Sequence, residues 1–323
     1  MSSKEPDQPT PPADELQTPL VSVVVCSLNG ERVLSACLTS VLACKGPPFE
    51  VIVVNNGSED STPDLVRERF PAARLLNIER NLGFSGGNNV GIQAARGEII
   101  VLLNDDTEVP ENWVAALAAP FERDPRIGSV GCKLLYPGGR IIQHAGGAIL
   151  PNGNTVHLGT GEEDDGQWET PGECDYVTGA ALAMRREALA QVGLLDPKFF
   201  PIYFEEVDLE VRMARAGWKL WYEPAAWLIH HESLTQVTGS RRFVYRYTRN
   251  RMRYLTLRGL PGGRRAALKV ELRWLIDMAR QGRLGSVLRA YASGLLHWPA
   301  WHLDRRARRS VPALDNPQTL LKH

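Results

Sequence analysis

The feature that most restricts the fold of this chain is a unit repeated along its first third: a short apolar run, a cluster of small polar residues, then a helical pattern. Val21 to Cys26 is a β-branched run, and from Glu31 to Leu42 the residues Val33, Leu34, Cys37, Leu38 and Val41 fall at helical spacing. Val51 to Val54 ends in Asn55-Asn56-Gly57-Ser58, after which Ser61-Thr62-Pro63-Asp64 supplies an N-cap, a first-turn proline and an early acid. Arg74 to Ile78 gives a third strand, Gly86 to Ala95 a third helix, and Glu98 to Leu103 a fourth strand that stops at Asn104-Asp105-Asp106. Strands alternating with helices predict an α/β fold with a mostly parallel sheet covered on both faces. In such sheets ligands gather beyond the carboxyl ends of the strands. The loops at Ser27 to Gly30, Asn55 to Asp60, Asn81 to Asn89 and Asn104 to Thr107 all fall on that rim.

Beyond Pro110 the alternation lapses. Ile127 to Tyr176 is Gly-rich and reads as an irregular region with short strand-like pieces at Ile141-Ile142 and Ala148 to Leu150. Formal charge sums to zero, yet Arg241 to Arg309 holds 18 Lys/Arg against 3 Asp/Glu, leaving an acidic body and a basic, largely helical end. An acidic body argues against nucleic acid as a partner, whereas a basic segment carrying Tyr245, Tyr247, Trp274, Trp298 and Trp301 suits an anionic membrane surface. Residues 284–303 are interrupted by Arg289, Ser293, Gly294, His297, Pro299 and His302, so no spanning helix is expected. Met1 to Thr18 has no signal-peptide pattern and reads as a disordered tail. The five cysteines, odd in number and without CxxC spacing, fit a reducing compartment.

Three clusters have side chains suited to chemistry. Asp105 and Asp106 follow a wholly apolar strand, where carboxylates can hold Mg²⁺ or Mn²⁺ against a diphosphate; the alternative is that Asn104 to Thr107 caps a helix at Pro110. Glu205, Glu206 and Asp208 open a helical pattern beside the apolar run Phe199 to Phe204. Acids in a first turn suit the helix dipole, but a carboxylate there can also be desolvated and poised as a general base. His230-His231 closes the apolar run Ala225 to Ile229; the pair is either structural or a neutral imidazole partner for a metal-binding carboxylate. The three glycines between Asn81 and Asn89 allow close approach of backbone N–H groups to an anion, or simply make turns. Neither a dinucleotide fingerprint nor a Walker sequence is present.

In order along the chain, Val21 to Gly30, Val53 to Ser58, Asn81 to Asn89, Leu103 to Thr107, Thr178 to Leu182, Phe204 to Leu209 and His230 to Ser233 resemble the motifs of family-2 glycosyltransferases of the GT-A fold, particularly the bacterial rhamnosyltransferase-like branch. The resemblance covers about Leu20 to Arg253. It implies a GT-A domain over 20–240, with a nucleotide-sugar half over 20–107 and an acceptor half over 108–240, followed by a basic extension over 241–323. It further implies an inverting, metal-dependent transfer of a sugar from a nucleotide-sugar donor to a glycan or lipid-linked hydroxyl, in the cytoplasm or peripherally at the inner face of the membrane.

By position, the resemblance places Ser27, Asn29, Asn56 and Asp60 in the nucleotide pocket, with Gly86 and Asn89 near the ribose or diphosphate and Asn104 and Asp105 also on the donor side. Asp106 would hold the metal with His230 and Asn104, Glu206 would be the base flanked by Glu205 and Asp208, and Gly179 and Ala180 would meet the acceptor. Asn55 and Asn104 stand where the family often has Asp, which removes negative charge from the donor side. A sugar nucleotidyltransferase is the nearest enzymatic alternative, but its Gly-rich, Arg-containing loop is absent, with Ser27-Leu28-Asn29-Gly30 in its place. A catalytically silent carbohydrate- or membrane-binding relative is the other.

Overall fold

The computed structural model describes residues 20–232 and 239–309; the expected N-terminal tail and Ser233 lie outside them. The first third follows the predicted alternation: β1 (Val21–Ser27), α1 (Leu34–Leu42), β2 (Phe49–Asn56), α2 (Thr62–Arg69), β3 (Arg74–Ile78), α3 (Gly83–Ala94) and β4 (Ile99–Asn104). Then come β5 (Thr107–Glu108), α4 (Trp113–Arg123), β6 (Ile127–Leu135), β7 (Ile142–His144), β8 (Gly147–Ile149), β9 (Thr155–His157), β10 (Gly172–Glu173) and β11 (Ala181–Arg185). α5 (Arg186–Val192), a 3₁₀ turn (Pro197–Phe199), α6 (Glu205–Arg215) and β12 (Lys219–His230) precede three helices, α7 (Arg241–Arg258), α8 (Arg264–Arg280) and α9 (Leu284–Arg309).

One large sheet runs in the order β10-β12-β6-β11-β4-β1-β2-β3. β1 to β4 are mutually parallel where they pair, β11 is antiparallel to both β4 and β6, and β12 is parallel to β6. Alternation along the strands divides the core in two. Val23, Val25, Val51, Val53 and Val101 pack with α1 and α4, through Leu34, Leu38 and Trp113. Their neighbours Val24, Ile52, Val54, Ile100 and Leu102 pack on the other face with Ile92 of α3, Leu189 of α5 and Leu209 and Met213 of α6. Each fully buried Val or Leu contributes about 1.5–3 kcal/mol, so this double-sided core fixes the strand register and with it the rim.

Three expectations change. Residues 127–135 are not irregular: all nine residues of β6 are buried in the middle of the sheet. Gly128 and Gly131 there lie against Trp218 and Val177, positions where a Cβ would collide, so glycines that suggest turns instead admit large neighbours. The helix expected from Gly86 starts at Gly83, and Gly87 and Gly91 lie in its interior. A Cβ at Gly87 would strike Cys26 and Asn56, and one at Gly91 would strike Val24; both glycines let α3 sit close on the sheet.

The segment expected as an appended extension is built into the body. Tyr254 and Leu257 of α7 join Tyr176, Phe199, Phe204 and Val207 in one buried cluster. Several of its arginines are engaged internally: Arg251 pairs with Glu271 at 2.7 Å, Arg258 with Asp208 at 2.6 Å, and Arg253 bridges Asp196 at 2.7 Å and Asp304 at 2.6 Å. Trp301 is buried and Tyr247 belongs to the interior cluster, so neither is placed at an outer interface as the sequence suggested; Trp298 is exposed. Among the described residues, no helix is long and apolar enough to cross a membrane.

Candidate active site

Beyond the ends of β4, β6 and β12, walled by α6, α7 and α8, lies a cavity of about 670 Å³. Asn104, Asp106, Gly179, Ala180, Glu205, Glu206 and His230 all line it, so acids and imidazole widely separated in the chain meet in one cleft. Asn104 to Thr107 does not cap the following helix, which begins at Trp113; Thr107 donates its hydroxyl to the Asn104 carbonyl at 2.8 Å and continues into β5. β5 pairs with the end of β12, Thr107 opposite His230, and this ladder brings the acid and the imidazole together.

His230 Nε2 stands 3.1 Å from Asp106 Oδ1 and 3.3 Å from Asn104 Nδ2, and His230 Nδ1 lies 2.7 Å from Gln143 Oε1. An amide oxygen accepts, so Gln143 assigns the ring proton to Nδ1 and leaves the Nε2 lone pair toward Asn104 and Asp106. A lone pair and a carboxylate oxygen that close together suit a cation. Among the described residues, no three His, Cys, Asp or Glu side chains gather as a complete metal site. This donor set fits Mg²⁺ or Mn²⁺, which take one or two protein carboxylates and complete their shell with phosphate oxygens and water. Asn104 Nδ2 now faces that same lone pair, so a bound cation would displace the amide N–H from it and leave the Asn104 amide oxygen as a neutral donor.

Glu205 and Glu206 open α6 behind Tyr203 (φ 88°) and Phe204 (φ 75°), both in the left-handed region. Such conformations cost on the order of 1–3 kcal/mol each. They persist because Asn250 of α7, itself buried, donates its Nδ2 hydrogens toward the carbonyls of Phe199 (2.7 Å), Ile202 (3.0 Å) and Tyr203 (3.1 Å). Glu205 is buried, Glu206 half-buried, and among the described residues an Oε2 atom of each has no hydrogen-bond partner. Burial pushes the Glu206 carboxyl up to about 7; burial and then the charge of Glu206 raise that of Glu205 well above the carboxylate range. A Cβ on Gly179 would stand 3.0 Å from Phe84 and 3.8 Å from Glu206 Cβ, so the glycine keeps space open before the Glu206 carboxyl.

The remaining expected site residues stand elsewhere. Asp208 is fully buried on the far side of α6, paired with Arg212 at 3.0 Å and with Arg258. It anchors helices and does not flank the base in the cleft. Asn89 exchanges two hydrogen bonds with the backbone of Leu195 and ties α3 to the loop before α6. Gly86 faces Leu82 within α3, not the cleft. Asn56 holds the start of α3, accepting from Leu82 N and donating to Gly83 O. Asn29 accepts from Glu59 N, and Asp60 accepts from Glu31 N and Thr62 N, stitching the β1 and β2 loops into one rim.

Ser27 donates to Asp105 at 2.5 Å. Burial raises the Asp105 carboxyl to about 6, the Ser27 bond opposes this, and the Asp106 charge adds to it. Asp105 therefore belongs to the rim beside the cleft. The sequence reading missed Gln143 and Phe243 in the cleft and Asn250 behind it, and it sent Tyr247 and Trp274 to a membrane surface, whereas with Tyr203 and Phe243 they wall the cleft. It also missed His157, which lines the cleft 2.9 Å from His144 Nδ1 and is kept neutral by burial, its value lowered to about 4. These residues lie on short strands, within helices or, for Tyr203, in the turn before α6, where no local pattern separates a lining residue from a packed one.

An α/β sheet with a strand-end acid and imidazole facing a helix-borne carboxylate defines the GT-A class of fold, and solved structures agree. S. aureus TarS 1-349 in complex with UDP-GlcNAc superposes with a TM-score of 0.57 at 14% identity, covering 88% of each chain. GalNAc-T7 with UDP, GalNAc and Mn²⁺ gives 0.58 at 20% identity over 76% of this chain and 48% of that one. The glycosyl transferase family 2 model matches residues 22–193, more than half of the chain, and the chain belongs to that family.

Among curated relatives, the O-antigen biosynthesis protein RfbC of Myxococcus xanthus is 31% identical over 230 residues, 68% of this chain and 18% of that protein. The uncharacterized protein y4gI of Sinorhizobium fredii is 33% identical over 68% of this chain and 25% of its own length. The N-acetylglucosaminyl-diphospho-decaprenol L-rhamnosyltransferase of Mycobacterium tuberculosis is 29% identical over 67% of this chain and 77% of that enzyme. This chain thus spans a quarter or less of the length of two of these relatives.

Proposed function

We propose that this protein transfers a sugar, with inversion, from a nucleotide diphosphate donor to a hydroxyl of a glycan or lipid-linked acceptor, with Glu206 as general base. The observation that carries the proposal is the meeting of Asp106, His230 and Glu206 on one cavity, with a Glu206 oxygen buried and without a partner among the described residues. Glu206 accepts the proton of the acceptor hydroxyl as its oxygen bonds to the anomeric carbon and the bond to the diphosphate breaks. A bound Mg²⁺ or Mn²⁺ would neutralise the leaving diphosphate, and Asp106 and His230, with Asn104, would hold it. Ser27 and Asp105, on the rim next to Asn104, suit the donor side; Gly179, Ala180 and the aromatic wall suit the acceptor side. The names of the relatives support a role in surface polysaccharide or glycolipid assembly.

The test is Glu206→Gln, which removes the base with little change of shape. Transfer should fall by about 10³-fold or more, within the range expected when a positioned base is lost, while calorimetric affinity for the nucleotide-sugar stays within about twofold. Near-normal turnover would remove Glu206 from the proposal, and undiminished activity in excess EDTA would remove the metal.

A further inference from the structure

The two last helices carry an unexplained surface. Of the fourteen large apolar residues exposed among the described residues, eight lie on α8 and α9. On α8, Leu268 (70% exposed), Leu272 and Ile276 follow at four-residue steps and form one stripe. On α9, Leu288, Leu295, Leu296 (81% exposed) and Leu303 fall within about 100° of one another around the axis. The opposite sides of these helices are already used: Glu271 pairs with Arg251, Val287 and Ala290 are buried, and Asp304 pairs with Arg253.

The charge beside the stripe is mainly positive. Arg264, Arg265, Lys269, Arg273 and Arg280 are exposed on α8; by helical spacing Arg265, Lys269 and Arg273 form a row about 100° round the axis from Leu268, Leu272 and Ile276, and Arg280 stands one four-residue step beyond Ile276. The sole acid exposed on that helix, Asp277, is 3.6 Å from Arg280. Arg265, Lys269 and Arg273 have no ion pair among the described residues, and an apolar face bordered by such cations is the pattern of a helix lying in a lipid headgroup layer; it opposes the acidic remainder of the chain. The same helices also reach the cleft, which Trp274, Met278 and Arg283 line.

We propose that the leucine stripes of α8 and α9, together with the cationic flank of α8, dock this protein on an anionic lipid surface and bring the cleft to it. The docking surface is these stripes, and not the tyrosines and buried tryptophan of α7 and α9. Docking extends the reading of a lipid-linked acceptor but does not require catalysis, so vesicle binding by the Glu206→Gln variant separates failure of docking from failure of the enzymatic proposal.

The experiment is flotation of the full chain with phosphatidylcholine vesicles, and with vesicles containing about one third phosphatidylglycerol. The protein should float with the anionic vesicles at least about tenfold better, less so at high salt. Leu295→Ser/Leu296→Ser should abolish flotation, and Lys269→Glu/Arg273→Glu should remove the preference for anionic lipid; exposed positions leave folding intact, which circular dichroism checks. Absence of flotation by the wild type, or unchanged flotation by the leucine variant, overturns the proposal. So does a wild-type dimer in light scattering that the leucine variant converts to monomer, since the stripe would then be a contact between copies of this chain.

Discussion

Asn250 gives the sharpest test of how the cleft is built, because it touches neither Asp106 nor His230 yet holds the turn that aims Glu206. Its buried amide faces three carbonyls at 2.7, 3.0 and 3.1 Å, but an amide nitrogen has two hydrogens, so two full hydrogen bonds are at stake. Asn250→Ala leaves these buried or part-buried acceptors without a donor, at about 1–3 kcal/mol for each of the two bonds, for a total of about 2–6 kcal/mol. For a chain of this size that lowers Tm by roughly 5–15 °C. The turn also loses what opposes the left-handed strain at Tyr203 and Phe204, so below Tm turnover should fall about tenfold or more while the KM for donor changes little. Asn250→Asp should be at least as damaging, since it points a carboxylate at carbonyl oxygens. Differential scanning calorimetry with initial-rate kinetics reads both effects; a Tm within about 1 °C of wild type, or a loss confined to donor KM, would refute the reasoning.

Other expectations follow from the same geometry. Because burial raises Glu206 to about 7 and a base must be ionised, kcat/KM should rise with pH through that value and level above it; a profile flat from about pH 5 to 8 would contradict this assignment. Folding stability runs the other way: the native carboxyl holds its proton above the ordinary value of 4.5, so Glu206 weakens the fold progressively as pH rises from there to about 7 and no further above it, and Glu206→Gln should be relatively more stable at high pH in urea titrations. Asp208→Ala should destabilise by about 3–5 kcal/mol, since it removes the carboxylate shared by Arg212 and Arg258 in a part-buried site, yet leave donor affinity unchanged at low temperature. Gly91→Ala should cost about 1–3 kcal/mol through collision with Val24; chemical denaturation measures both.

The parallel half of the sheet was readable because its central strands β1, β2 and β4 are mostly apolar runs and its rim is polar, two signals that coincide where a strand ends at a surface. The far half was not. β6 contains Gly128, Gly131 and Lys133 in a fully buried strand, residues that locally say turn and surface; their fit depends on Trp218, Val177 and the carboxylates of Asp164 and Glu169, none of them near in sequence. Asp208 could have been set aside from the sequence alone, since two residues past Glu206 on a helix points to the opposite face. The bond from Gln143 to His230 had no local sign, because it joins residues 87 apart through strands that meet only in the folded sheet.

Arg253 links the loop that precedes Glu205 to the last helix, with Asp196 on one side and Asp304 on the other. The C-terminal helices are therefore not an interchangeable cartridge. Grafting them from a relative to alter acceptor choice would exchange one carboxylate of this anchor and leave the other behind, so chimeras will keep a working cleft only if Asp196, Arg253 and Asp304 move as a set.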